Sequence, residues 1–270
     1  RLAQLAGWLA SGDGLVPLAA QVVPGPGWTA GAAVSAPHHE LPAAPAAIAQ
    51  VRDQLDAWAG NAPCAVLLLA PALAGRSAWD ALLQAVEPGR AATAHFDFRV
   101  PGADPLTLPL DTVEVVARHY TVDLADAEPD AMASQLGRAA DRVRHLTGVA
   151  RVLLVAHSSA GVVARRFALQ RPDAVGGVVT LGTPHAASPA AGCLDPTLAD
   201  AVRLADALLP AQGRSAVGRA VGRLAGLLDG QGGGSTPVPP RPRAAADPVP
   251  GLAIPGVLDE LIELPVLTLD

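Results

Sequence analysis

The sequence predicts an α/β domain, a mostly parallel central sheet flanked by helices. Three observations lead there. Compact apolar runs rich in β-branched residues recur at 64–69, 151–155 and 174–181. Such runs suit central strands that are buried on both faces. Helical patterns separate them, as in residues 46–59, where Ile48, Val51, Leu55 and Trp58 fall at 3, 4, 3 spacing on one face. Strand–helix–strand alternation favours parallel strands with right-handed crossovers.

Composition sets the bounds. The 270 residues are enough for one such domain with a sizeable core. Half are apolar but only 3% are aromatic, so the core is built from Ala, Val and Leu. All 19 basic residues are arginine, and with the Ala, Gly and Pro load this reads as the coding bias of a GC-rich bacterium. The net charge of −6, with no basic stripe among aromatics, argues against a nucleic-acid partner. Cys64 and Cys193 are too few for a disulfide framework or a structural zinc site. No apolar run reaches 18 residues, so no transmembrane segment is expected. The first residues given carry no signal-peptide pattern, and a cytoplasmic and a secreted location both stay open.

Taken in order, residues 1–60 form an N-terminal segment of helices and loops. It includes a Pro/Gly/Ala-rich stretch at 21–47 with His38-His39-Glu40 inside it. No third ligand stands at helical spacing from that trio, so it reads as a surface loop and not a metal site. The domain proper is expected over 61–270. Its first strand, 64–69, runs into Ala70-Pro71-Ala72-Leu73-Ala74-Gly75. Ser77 is placed to cap a helix over 78–86. Strands are expected within 91–98 and 113–122, and a helix over 130–147 with Met132, Leu136, Ala139, Val143 and Leu146 on one side.

The densest signal follows. Arg151-Val152-Leu153-Leu154-Val155 is a strand, Ala156-His157-Ser158-Ser159-Ala160 a turn of small residues, and 161–170 a helix. This is the setting of a nucleophile elbow, where small side chains two residues either side of the serine let strand and helix approach. Reading Ser159 as the nucleophile would put His157 at one of the small positions, so Ser158 is preferred. A plain helix cap by either serine gives the same letters. The helix stops at Arg171-Pro172. The strand 174–181 then runs into Gly182-Thr183-Pro184-His185.

Leu153-Leu154-Val155-Ala156-His157-Ser158-Ser159-Ala160-Gly161, with Leu181-Gly182-Thr183-Pro184-His185 after it, resembles the lipase/esterase branch of the α/β-hydrolase superfamily. Bacterial triacylglycerol lipases and GPI inositol-deacylase-like hydrolases share this pair of motifs. The specific likeness covers 151–189, and a looser one 63–189. The resemblance implies an α/β-hydrolase fold and a serine hydrolase acting on carboxylic esters, with lipids or other apolar acyl esters as substrate. It implies no metal or organic cofactor, and transient contact with a lipid surface. Ser158 would be the nucleophile. The amides of Ser159 and Ala72 would form the oxyanion hole, although Ala70-Pro71 stands where the family has His-Gly. His157 would pack under the turn, its side chain on the other face of the strand from Ser158.

Family order is Ser, then acid, then His. Only His185 follows Ser158, in a motif the family uses structurally, so it is a weak base. Asp270, after a strand expected at 264–269, is a weak acid, and Asp195 a weaker one. Both ends of the chain read as cut, so the base is expected past residue 270. An unusual triad through His185 and a degenerate fold are the alternatives. Residues 197–229 read as helices, either a lid or ordinary packing on the sheet. Residues 229–250 read as a low-complexity loop, so lid and loop together span 190–250. Two other functions share the motif: a non-catalytic binding protein, and an acyltransferase or thioesterase with the same serine.

Overall fold

The computed structural model describes residues 21, 26–36, 38–60, 64–70, 76–88, 94–100, 105–107, 118–125, 129–185 and 249–257. An eight-stranded sheet forms the centre. Its strands are β1 (Trp28–Ala30), β3 (Ala65–Leu69), β4 (Ala94–Asp97), β5 (Leu106–Thr107), β6 (His119–Asp123), β7 (Val152–His157), β8 (Val175–Leu181) and β9 (Gly251–Ile254). They lie in the order β1-β9-β8-β7-β3-β6-β4-β5. Neighbours are parallel throughout, except that β5 runs antiparallel to β4. A small parallel pair, β2 (Val34–Ser35) with β10 (Gly256–Val257), stands beside it. The mostly parallel sheet predicted from sequence is therefore present.

Helices cover both faces. The helices are α1 (Pro45–Ala59), α2 (Asp80–Val86), α3 (Pro129–Thr147) and α4 (Ala160–Gln170). Alternation along the strands divides the core in two. Leu67, Leu69, Val152 and Leu154 face α3 and α4, where Leu136, Ala139, Val143, Val163 and Phe167 meet them. Val66, Leu68, Leu153 and Val155 face α1 and α2, meeting Ala47, Val51, Leu55 and Leu82. Strands β3 and β7 are buried along their whole length, which is why they read as unbroken apolar runs.

Several elements differ from the sequence reading. Ser77 does not hold the N-cap position of α2. A 3₁₀ turn at Arg76–Trp79 leads in, and Trp79 holds the N-cap position. The Trp79 side chain is wholly buried in the α1-side core, and that anchorage tightens the entry. The expected strand in 113–122 is observed as His119–Asp123, and that in 91–98 as Ala94–Asp97.

The 21–47 stretch is not all surface loop. It contributes edge strand β1 and a 3₁₀ turn at His38–Ala43 that buries His38 and Leu41. The strand beside β8 is Gly251–Ile254, immediately after the stretch read as low-complexity. The Trp28 ring lies where a side chain on residue 251 would be, so this position suits only glycine. The expected strand at 264–269 and the helices at 197–229 lie outside the described residues.

Candidate active site

Parallel strands deliver their C-terminal ends to one edge, where ligands of open α/β sheets bind. Strand β7 is central to that edge and ends at His157. Ser158 follows with φ +56°, the single non-glycine residue with positive φ among those described. For an L-residue this conformation costs roughly 1–2 kcal/mol. Three main-chain hydrogen bonds hold it. The Ser158 amide donates to the Leu181 carbonyl at 2.9 Å. The Ser158 and Ser159 carbonyls accept from the amides of Gly161 and Val162 at 3.0 and 3.1 Å. The turn is therefore tied both to β8 and to the first turn of α4.

The small residues around the serine have visible neighbours. Ala156 is fully buried, between Leu69 of β3 and Thr180 of β8. Ala160 starts α4 and is also buried. Gly161 lies directly under Thr183, with no space for a β-carbon between them. The Gly182-Thr183-Pro184-His185 segment thus braces the back of the elbow.

Ser159 occupies the N-cap position of α4 without a side-chain cap bond. No group among the described residues accepts from its amide, which leaves that N–H for an incoming oxygen. Ser158 itself is 6% exposed, and no side chain among the described residues hydrogen-bonds its hydroxyl.

His157 and His185, the histidines of the two motifs, are engaged elsewhere. His157 lies on the α1 face, as alternation requires, and its Nε2–H donates to the His38 carbonyl at 2.9 Å. The His38 and His157 rings pack against each other, tilted by 36° with centroids 4.7 Å apart. His185 is 4% exposed. Its Nε2 is 2.8 Å from Thr180 Oγ1, and its ring packs on Trp28. Burial, with Arg165 nearby, pushes the His185 imidazole down to about 3, so it is neutral at ordinary pH. Its position is that of a buried brace. Ala72, Asp195 and Asp270 lie outside the described residues. Leu69, paired with Ala156, places the end of β3 beside the elbow, three residues before Ala72.

A second polar group at the same edge escaped the sequence reading. His95 and Asp97 on β4 stand opposite Thr121 and Asp123 on β6. Arg99 bridges the carboxylates of Asp97 and Asp123 at 2.8 and 2.7 Å. The Arg99 hydrogen bond holds the Asp97 carboxyl down to about 2. Burial raises Asp123 despite Arg99, and lowers His95 despite Asp123. The sequence signal for this group was an aspartate closing each of two short strands, with a polar residue two positions before it.

The family model described as the alpha/beta hydrolase fold matches residues 65–239. That is well over half of the chain. The chain belongs to the α/β-hydrolase fold family. A search of curated proteins returned no match. Among solved structures, the α/β-hydrolase chain is similar to one described as the crystal structure of the gene lin2722 products from Listeria innocua. The two are 17% identical with a TM-score of 0.39, over 47% of this chain and 54% of that one. The α/β-hydrolase chain thus spans about half the length of that protein. No described helix is long and apolar enough to cross a membrane.

Proposed function

We propose that this α/β-hydrolase is a serine hydrolase that cleaves carboxylic esters with an apolar acyl group, through an acyl-enzyme on Ser158. The observation that carries the reading is the left-handed backbone of Ser158 at the C-terminal end of a central strand. A serine in that conformation presents its hydroxyl above the sheet edge. Ser158 Oγ attacks the acyl carbonyl while an imidazole from outside the described residues takes its proton. The tetrahedral oxyanion forms over the α4 N-terminus and accepts from the Ser159 amide, with the Ala72 amide as the second donor. The carbon–oxygen bond to the alcohol breaks, and the alcohol leaves with the proton. Water then repeats the sequence on the acyl-enzyme and releases the acid.

Strand order bears on the acid. The strand after β8 in the sheet is β9, which ends at Ile254. The first carboxylates after it in sequence are Asp259 and Glu260. In the order Ser, acid, His, this favours Asp259 over Asp270 as the residue that orients the base.

A non-catalytic binding role is the second reading, motivated by Ala70-Pro71 standing where the resemblance leads one to expect His-Gly. A fluorophosphonate probe separates the two. Covalent labelling of the wild type, absent in Ser158→Ala, is the expected result. An unlabelled wild type, or a labelled Ser158→Ala, overturns the hydrolase reading. Transfer to an acceptor alcohol or thiol in place of water would mark an acyltransferase.

A further inference from the structure

The geometry points to a divalent-cation site formed by His95, Asp97 and Asp123, with Zn²⁺ the best match and Arg99 as the cation that fills it when the metal is absent. One ligand atom from each of the three residues lies within 4.8 Å of the other two. A tetrahedral zinc ion with bonds of about 2.1 Å sets its ligand atoms roughly 3.4 Å apart, so the three atoms must draw together when the metal binds. The residues come from facing positions on adjacent parallel strands, with Asp97 opposite Asp123 and His95 opposite Thr121. The backbone holding them is therefore part of the central sheet.

Two carboxylates placed directly across a strand pair repel each other and need a cation between them. Arg99 supplies one positive charge for the two. Its side chain is 43% exposed, against 5% for Asp123, so it can swing out to solvent and leave the carboxylates to the metal.

His95 is the independent observation. Only 8% of this residue is exposed, yet its Nε2 makes no hydrogen bond among the described residues. That atom faces Asp123 Oδ2 at 3.7 Å, too far for a hydrogen bond. Its Nδ1 is 2.8 Å from Thr121 Oγ1. With Nδ1–H donating to that hydroxyl, Nε2 carries its lone pair towards the carboxylates. An imidazole fixed from behind in this way is how metal-binding histidines are oriented. One imidazole with two carboxylates is a mixed nitrogen–oxygen set that suits zinc better than magnesium or calcium. The partly exposed Asp97 and Arg99 mark the route of entry.

The test is calorimetric titration of the full chain with Zn²⁺, comparing wild type, Arg99→Ala, Asp97→Asn and Thr121→Val. Asp97 is at the open side, so Asp97→Asn leaves the buried packing intact. Removing Arg99 vacates the position, and Arg99→Ala is expected to bind roughly tenfold tighter than wild type. Asp97→Asn is expected to lose binding, and Thr121→Val to weaken it by about tenfold. Co²⁺ in place of Zn²⁺ should give Arg99→Ala the visible absorption of a low-coordinate nitrogen–oxygen site. No uptake by Arg99→Ala, or uptake that Asp97→Asn leaves unchanged, overturns the proposal.

Discussion

Thr183 closes over Gly161 with no space for even a methyl group between them. One residue belongs to the first turn after the candidate nucleophile and the other to the segment after β8. Gly161→Ala should therefore push the α4 N-terminus away from β8. The strain of such overpacking is about 1–3 kcal/mol. Urea unfolding should show that loss, and fluorophosphonate labelling should slow. Adding Thr183→Ala removes the nearest colliding atoms and should restore part of both. A single variant as stable and as readily labelled as wild type would refute the brace.

Ser158 makes the opposite prediction. Its positive φ is unfavourable for any residue with a β-carbon. Glycine accepts it freely, less the larger entropy it loses on folding. Ser158→Gly should exceed Ser158→Ala in stability by about 1 kcal/mol. Both should be unlabelled. Equal thermal midpoints for the two variants would show that the backbone strain is absent.

The elbow was legible because it is local. Strand, serine, small neighbours and helix occupy 151–170 without interruption. The sheet edge on its far side was not. Strand β1 has three residues and β9 has four, and 220 residues separate their sequence positions. Pro248, Pro250 and Pro255 around β9 look like breakers in sequence, yet the Pro255 and Pro250 carbonyls still accept from Val34 and Val178. The match between Trp28 and Gly251 exists only once the strands pair. The same is true of His95, Asp97, Thr121 and Asp123. Each pair is an ordinary alternation on its own strand, and only the register between β4 and β6 makes them one group.

His185 provides a pH prediction. Burial holds its folded-state value at about 3, against the ordinary 6.5 of an unfolded chain. Between those values the unfolded state binds a proton that the folded state does not, so stability rises with pH across that window. The contribution is fully present above pH 6.5 and is lost as the medium acidifies towards 3. At pH 5.5 the loss is about 1.4 kcal/mol. Chemical denaturation at pH 7.5 and 5.5 should show the wild type losing more stability than His185→Leu, which has nothing to protonate. Equal losses would place the imidazole in solvent.

The position of β9 makes the last prediction. If the acid follows this strand, Asp259→Asn should leave the fold intact and slow fluorophosphonate labelling by at least about a hundredfold, because the imidazole loses the group that fixes its tautomer. Asp270→Asn should label at the wild-type rate. Glu260→Gln is the control for the adjacent carboxylate, and should also label normally. The three rates, read beside circular dichroism of each variant, separate the candidates. A slow Asp270→Asn with a normal Asp259→Asn would return the acid to the end of the sequence. It would also mean that the strand order of the sheet does not govern where this hydrolase holds its acid.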